Sequence, residues 1–278
     1  MKTVLITGAS SGIGKETAKL FRDKGFQVIA TSRRVENMVD LEEIGCFVLS
    51  MDVTKEVSIE NAFQKIFSKT KQIDILVNNA GYCQNGFVEE LTMENLHYQF
   101  DVNVFGLIRV TQKVLPLMRK NRNGRIINIG SVGGDFTSAG ASAYHASKYA
   151  LESFSDGLRQ ELAPFGIQVV LVKPGGVETD FLNHSKVFYP EPLEGNPYGK
   201  MRTNFGKMID SILNSSNSAF PILKPKVVAE IIVQSSVLNK PKSRIRIGRT
   251  AKIMPVMKRL LSDQAFDKMI LNQLGLLK

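Results

Sequence analysis

The chain has 278 residues, 43% hydrophobic and 22% charged, and carries a net charge of +10 at pH 7. At about 100–200 residues per domain, this is enough to bury a full core, and the composition is not that of a disordered chain. Met1 leads straight into an apolar run with no signal-peptide layout, and no uninterrupted apolar run approaches the roughly 18 residues of a membrane span. The expectation is a cytoplasmic protein without a transmembrane span.

The first apolar run, TVLITG (3–8), is followed by a helix-like KETAKLFRDKG, and the two are joined by TGASSGIG with glycines at 8, 12 and 14. Glycines there permit a tight turn and let backbone amides approach a pyrophosphate at the positive end of the helix. Gly8, Ser10, Ser11, Gly12, Ile13 and Gly14 are therefore candidate nucleotide-binding residues. The second run ends ATSRR. An NAD site usually sets a carboxylate at that strand end, to bind the adenosine ribose. Ser32 stands there instead, and Arg33 and Arg34 beside it would give a 2′-phosphate charge-assisted partners. That favours NADP(H) over NAD(H).

Strand-like and helix-like stretches keep alternating: NMVDLEEIG, FVLSMDV, SIENAFQKIFSKT, IDILVNNAG, one long helical segment over 93–120, GRIINIGS, a second long helical segment over 141–166, and IQVVLVKPG. The strands are continuously apolar, as expected where helices cover both faces of a parallel sheet. The fold expected is a doubly wound, Rossmann-like α/β sheet in one domain, 1–278. Past residue 180 the chain is proline-rich and loop-like, with Phe188, Tyr189, Phe205, Met208, Ile209, Ile212 and Leu213, the last five at helical spacing. A helix over 225–239, a short strand SRIRIG and two amphipathic stretches, Ile253 to Leu261 and Phe266 to Leu274, complete it.

Within YHASK, Tyr144 and Lys148 lie four positions apart and share a helical face. An ammonium there favours the phenolate, and a tyrosine with an ordinary pKa near 10 needs such help to exchange protons near neutrality. His145, the next residue, points about 100° away around the helix and is not expected to be catalytic. Cys46 and Cys83 form no CxxC pair and have no metal-ligand company among His97, His145 and His184, so they read as reduced structural thiols with no metal site. Residues 224–259 hold ten Lys or Arg against Glu230 alone. That segment reads as a solvated surface or a face for an acidic partner rather than for nucleic acid, since it lacks base-stacking aromatics.

Taken together, TGASSGIG, NNAG (78–81), Asn103 in DVNVFG, Ser131, YHASK and KPGGVET resemble the short-chain dehydrogenase/reductase family over residues 1–180. The later part looks most like the branch containing 17β-hydroxysteroid and retinol dehydrogenases. The resemblance implies an NAD(P)-dependent oxidoreductase with catalytic Asn103, Ser131, Tyr144 and Lys148. It places Asp52 and Val53 beside the adenine, Asn79, Ala80 and Gly81 along the ribose, and Pro174, Gly175, Val177 and Thr179 around the nicotinamide. Tyr144 and Lys148 would also touch the cofactor. Asn103 would hold a water linking Lys148 to solvent, or merely cap or bend its helix.

In the same way, the resemblance implies 1–180 as cofactor-binding and catalytic core, 181–225 as substrate lid, 226–250 as last helix and strand, and 251–278 as helical extension. The apolar lid points to a steroid-, retinoid- or lipid-like ketone, aldehyde or alcohol. The alternatives are a 3-oxoacyl-acyl-carrier-protein reductase and a non-catalytic NADP(H) sensor. A homo-oligomer is also implied, paired through the helix carrying Tyr144 and the long helix before it; the alternatives are that the C-terminal helices instead cover that surface or rest on a membrane.

Overall fold

A computed structural model of the protein describes residues 1–179, 181, 191–214, 221–273 and 275. Seven parallel strands form one sheet in the order β3-β2-β1-β4-β5-β6-β7, comprising β1 (Thr3–Thr7), β2 (Gln27–Ser32), β3 (Phe47–Ser50), β4 (Ile75–Asn78), β5 (Gly124–Ile129), β6 (Ile167–Pro174) and β7 (Arg244–Ile247). Helices follow the strands: α1 (Gly12–Asp23), α2 (Val39–Glu43), α3 (Glu56–Lys69), α4 (Met93–Phe100), α5 (Gly106–Asn121), α6 (Ser142–Leu162), α7 (Gly199–Asn214), α8 (Pro225–Val237), α9 (Arg249–Leu260) and α10 (Asp263–Gln273). This is the doubly wound architecture expected, and the order reverses between β1 and β4. A ligand crevice opens at such a switch point, outside the carboxyl ends of the strands.

Alternate residues along each central strand feed opposite faces. Val4 and Ile6 of β1, Ile75 and Val77 of β4, and Ile127 and Ile129 of β5 pack into one core with α1 and α8. Leu5, Leu76 and Ile126 pack into the other, with α3 and α5. The continuous apolar runs of the sequence therefore serve two cores at once. A third cluster joins Phe136, Ala141, Phe205, Met208, Met254 and Phe266, so α7, α9 and α10 pack over the segment that follows Ser131.

The helical segment over 93–120 is not one regular helix. Thr92 and Asn95 form a capping box at the start of α4, and Asp101–Phe105 forms a π-helical turn before α5. The segment over 37–45 likewise begins as a 3₁₀ turn (Val35–Met38) and leaves only five residues to α2. Ile209, Ile212 and Leu213 fall within α7, but their side chains, like Phe188, Tyr189 and Leu274, lie outside what is described.

Candidate active site

At the carboxyl end of β1 the chain turns with Gly8 at φ +67° and Gly12 at φ +54°. A β-carbon on Gly14 would lie 2.4 Å from Asn79 Nδ2 and 2.5 Å from the Gly8 carbonyl oxygen, and one on Gly12 would lie 2.8 Å from Thr179 Cγ2. Only glycine leaves this space. Asn79 Nδ2 donates to the carbonyls of Thr7 (3.0 Å) and Gly8 (2.9 Å), and the Asn79 and Ala80 amides donate to Thr7 Oγ1 at 3.0 Å each. The TGASSGIG turn, the NNAG strand end and Thr179 thus converge on the switch point. The bare backbone at the head of α1 fits a pyrophosphate, so the residues present suit a dinucleotide.

A cleft of about 680 Å³ runs from this turn to the end of β2, lined by Ser10, Ser11, Gly12, Lys15, Arg34, Glu36, Asn37, Val39 and Asp40. Ser32 is buried, and its Oγ accepts from the Arg34 amide at 3.2 Å. Arg33 turns instead toward α4, where its Nη1 donates to Tyr98 Oη at 2.7 Å. Asp40 pairs with Lys15 at 2.8 Å and Lys19 at 3.0 Å; desolvation raises its carboxyl, but the two ammoniums together hold it below its usual range. Lys15 and Tyr98 were not singled out in the sequence. Lys15 directly follows GIG on the first turn of α1, which could have flagged it, whereas Tyr98 reaches Arg33 only through the tertiary fold.

Asp52 and Val53 sit at the adjoining strand end. Asp52 Oδ1 accepts from the Thr54 amide (3.0 Å) and hydroxyl (2.8 Å), forming a local turn, and Val53 packs against Gly106. On the far side, Pro174 ends β6 and the Gly175 amide bonds the Ile247 carbonyl at 2.9 Å. Val177 then bridges to Leu223.

Ser131, Tyr144, Lys148 and Asn103 come together beyond the ends of β4 and β5. The Ser131 hydroxyl accepts from the Gly133 amide at 3.0 Å and lies near enough to the Tyr144 phenol to favour its charged form. Lys148 is buried, with Nζ 2.9 Å from the Ile129 carbonyl and 5.8 Å from the centre of the Tyr144 ring. The phenol and ammonium therefore share one face of α6. Burial depresses the Lys148 pKa to about 8, whereas nearby Cys83 and Glu152 raise it.

Burial also pushes the Tyr144 phenol up, which Cys83 reinforces and the nearby Ser131 hydroxyl opposes. This corrects the expectation that Lys148 holds the phenol down: in the chain alone, loss of hydration sets the direction of the shift.

Asn103 lies in the π-helical turn. Its Oδ1 accepts from the Tyr82 amide (2.8 Å), and its Nδ2 donates to the Tyr82 carbonyl (2.9 Å) and to Ser147 Oγ (2.9 Å). Both amide protons thus fasten the loop after β4 to α6 rather than cap the helix that carries Asn103. A π-turn is frequent at functional sites because it redirects one residue without ending the helix. His145 is buried, its ring centre 5.8 Å from that of Tyr144 and its Nδ1 2.9 Å from the Gly133 carbonyl, and burial lowers its pKa.

Both cysteines are free. Cys46 lies in the core under α1, but Cys83 is a site residue that the sequence reading missed, its thiol pushed up to about 12 by burial. The Phe181 ring centre lies 5.9 Å from that of Tyr144 and forms an apolar wall. Among the described residues there is no cluster of metal-ligating side chains and no helix long and apolar enough to cross a membrane.

The model for the short chain dehydrogenase family matches residues 2–187. The chain belongs to the short-chain dehydrogenase family and is an NAD(P)-dependent oxidoreductase. It is 41% identical over 185 residues to a 3-ketodihydrosphingosine reductase of Bacteroides thetaiotaomicron, covering 66% of this chain and 67% of the relative. It is 30% identical over 283 residues to an NADPH-dependent 3-dehydrocapnine reductase of Ornithobacterium rhinotracheale, covering 99% and 98%. A crystal structure of a short-chain dehydrogenase from Streptomyces avermitilis matches with a TM-score of 0.78 at 32% identity, over 99% of this chain and 96% of that one.

Proposed function

We propose that this oxidoreductase uses NADP(H) and reduces the carbonyl of a lipid-like ketone or aldehyde, or runs the reverse oxidation. The observation that carries this reading is the Ser131–Tyr144–Lys148 group, set beside the glycine turn and walled by Phe181. The turn from Gly8 to Gly14, with Asn79, Ala80 and Thr179, would hold the dinucleotide. Asp52 and Val53 lie where an adenine would rest, and Pro174 to Thr179 where a nicotinamide would. Arg34 and Lys15 in the cleft, with Ser32 in place of a carboxylate, favour a 2′-phosphate. One relative is named as NADPH-dependent.

When bound, the nicotinamide supplies or accepts hydride at the substrate carbon. Tyr144 passes its phenol proton to the substrate oxygen during reduction. The Ser131 hydroxyl donates to the same oxygen and polarises the carbonyl. Lys148, positively charged below a pKa of about 8, stabilises the phenolate left behind. Asn103 holds the loop bearing Tyr82 and Cys83 against α6, so a proton relay would have to use its backbone rather than its side chain. We assign residues 181–225 as the lid that excludes water from this exchange; of it, Phe205 and Met208 of α7 pack against α9 and α10.

The apolar substrate is supported by Phe181 at the tyrosine and by the cluster of Phe205, Met208, Met254 and Phe266. Two relatives are named for reduction of 3-ketodihydrosphingosine and 3-dehydrocapnine. The test follows nicotinamide absorbance, with NADPH and NADH separately, against long-chain 3-ketones, steroids, retinoids and small aldehydes. Tyr144→Phe should cut turnover by about 10²–10⁴-fold, the usual worth of a positioned acid, while NADPH still binds. Retained turnover in that variant refutes the mechanism.

A further inference from the structure

Lys173 is fully buried at the end of β6, immediately before the Pro174–Gly175 turn. Its Nζ lies 2.7 Å from Asp135 Oδ2 and 2.6 Å from Glu152 Oε1. Asp135 is four residues past Ser131, at the end of the short 3₁₀ turn Val132–Gly134. Glu152 is one helical turn past Lys148 on α6, so Tyr144, Lys148 and Glu152 form a row along one face.

The segment after Ser131 lies flush against that helix. A β-carbon on Gly134 would lie 3.0 Å from both Glu152 Cγ and the Lys148 carbonyl. From the edge strand β7, Arg244 holds Glu152 Oε2 and Asp156 at 2.9 Å each, and Arg246 holds Asp135 at 3.1 Å.

Three stretches of chain thus meet at one ammonium: the stretch bearing Ser131, the helix bearing Tyr144 and Lys148, and the strand leading into the turn assigned to the nicotinamide. Neither Lys173 Nζ nor Glu152 Oε1 has a well-aligned hydrogen bond, so the contact acts through charge rather than through bond direction. Without that ammonium, two largely buried carboxylates would face each other one turn from Lys148. A buried charge that loses its partner is strongly unfavourable.

We propose that Lys173 is a positioning residue: its buried ammonium holds the Ser131 segment and the Tyr144–Lys148 helix in register and offsets the Glu152 charge beside Lys148. This rests on the catalytic reading of Tyr144, Ser131 and Lys148 given above. The groups facing Glu152 are Lys173 from β6, Arg244 from β7, Asp135 from the 3₁₀ turn, and Lys148, Tyr149 and Asp156 from its own helix. Lys148 also faces Tyr144 and, from the loop after β4, Cys83. Removing a cation from this group leaves net negative charge near the catalytic pair. That disfavours the phenolate and favours the ammonium.

The experiment uses full-length Lys173→Met, Arg244→Gln and Glu152→Gln, with 3-ketodihydrosphingosine and NADPH for reduction and the alcohol product with NADP⁺ for the reverse. Lys173→Met should lose roughly 10–100-fold in kcat, the scale of a misplacement of about 1 Å, with KM and NADPH affinity within about twofold of wild type. The acid limb of the oxidation profile should move to higher pH in Lys173→Met and Arg244→Gln, by roughly 0.5–1 unit. It should move to lower pH in Glu152→Gln.

Opposite shifts from opposite charges are not expected of residues that only stabilise the fold. Wild-type kcat and profile in folded Lys173→Met overturn the proposal. If Lys173→Met does not fold, unchanged profiles in both Arg244→Gln and Glu152→Gln overturn it equally. Tyr144→Phe runs beside them: a fully active Tyr144→Phe sinks the underlying catalytic reading, whereas an inactive one with unshifted partner variants sinks this inference alone.

Discussion

Residues 1–179, with α8 and β7 that complete the sheet and its core, and the helices α7, α9 and α10 are built by different means. In the first part each strand of the sheet centre is buried on both sides, and the glycine turn, Asn79 and Lys148 are fixed by backbone carbonyls or glycine-sized gaps. Past residue 190, the described side chains of α7, α9 and α10 touch the core along one face of each helix and lie in solvent on the other. Phe205, Met254 and Phe266 are buried, while Ile253, Val256 and Leu260 are 40%, 54% and 78% exposed. A rigid first part suits groups that must meet within fractions of an ångström. A one-sided, methionine-rich second part suits a surface that adapts to an apolar substrate.

The strongest way to break this contrast is at the glycine turn. Gly14→Val places side-chain atoms where Asn79 Nδ2 and the Gly8 carbonyl already stand. NADPH binding, read by fluorescence quenching, should be lost in a protein that keeps its helical circular dichroism. Tight binding by that variant would show that the dinucleotide does not lie on this turn. Ile127→Ala, at the centre of β5 and fully buried, should lower unfolding free energy by about 2–5 kcal/mol in a denaturant titration. A loss below 1 kcal/mol would mean that the sheet centre is not the packed body described here.

Much of this was legible in the sequence, for identifiable reasons. Continuous apolar runs between turn residues mark strands covered on both faces, and TGASSGIG, NNAG and YHASK sit at strand ends and a helix start, where local chemistry dictates them. The π-turn at Asn103 was not legible. Nothing in DVNVF breaks a helix, and the turn is accompanied by the tertiary bonds of Asn103 to Tyr82 and Ser147. The direction of the Tyr144 shift was missed for a similar reason: spacing shows that Lys148 is near, but not how little water remains. The Lys173 cluster joins positions 135, 152, 173 and 244, which no local pattern relates.

A smaller effect sharpens the cofactor side. Arg34 lines the cleft and Arg33 is drawn to Tyr98, so Arg34 rather than Arg33 should carry the 2′-phosphate preference. Hydrogen bonds to charged groups are worth about 1.5–3 kcal/mol. Arg34→Ala should therefore weaken NADPH binding by roughly 10–100-fold and leave NADH within about twofold, measured by calorimetry. Equal weakening of both would assign Arg34 to the fold instead.

The smallest effect tests the outer face of the second part. Val256 points away from Ala251 and Met254, the two residues that seat α9 on the core. Val256 is 54% exposed and belongs to no buried cluster among the described residues, and a surface change such as Val256→Ser stays within about 0.5 kcal/mol. The midpoint of thermal unfolding should hence move by no more than roughly 2 °C. Lys252 and Arg259 flank this apolar stripe, and two copies meeting across a two-fold axis would set like charges together. A larger drop in the midpoint, growing as the protein is concentrated, would overturn that electrostatic argument and show the stripe to be covered by a second copy. A small, concentration-independent drop leaves α9 as a helix whose sequence is written for one face only.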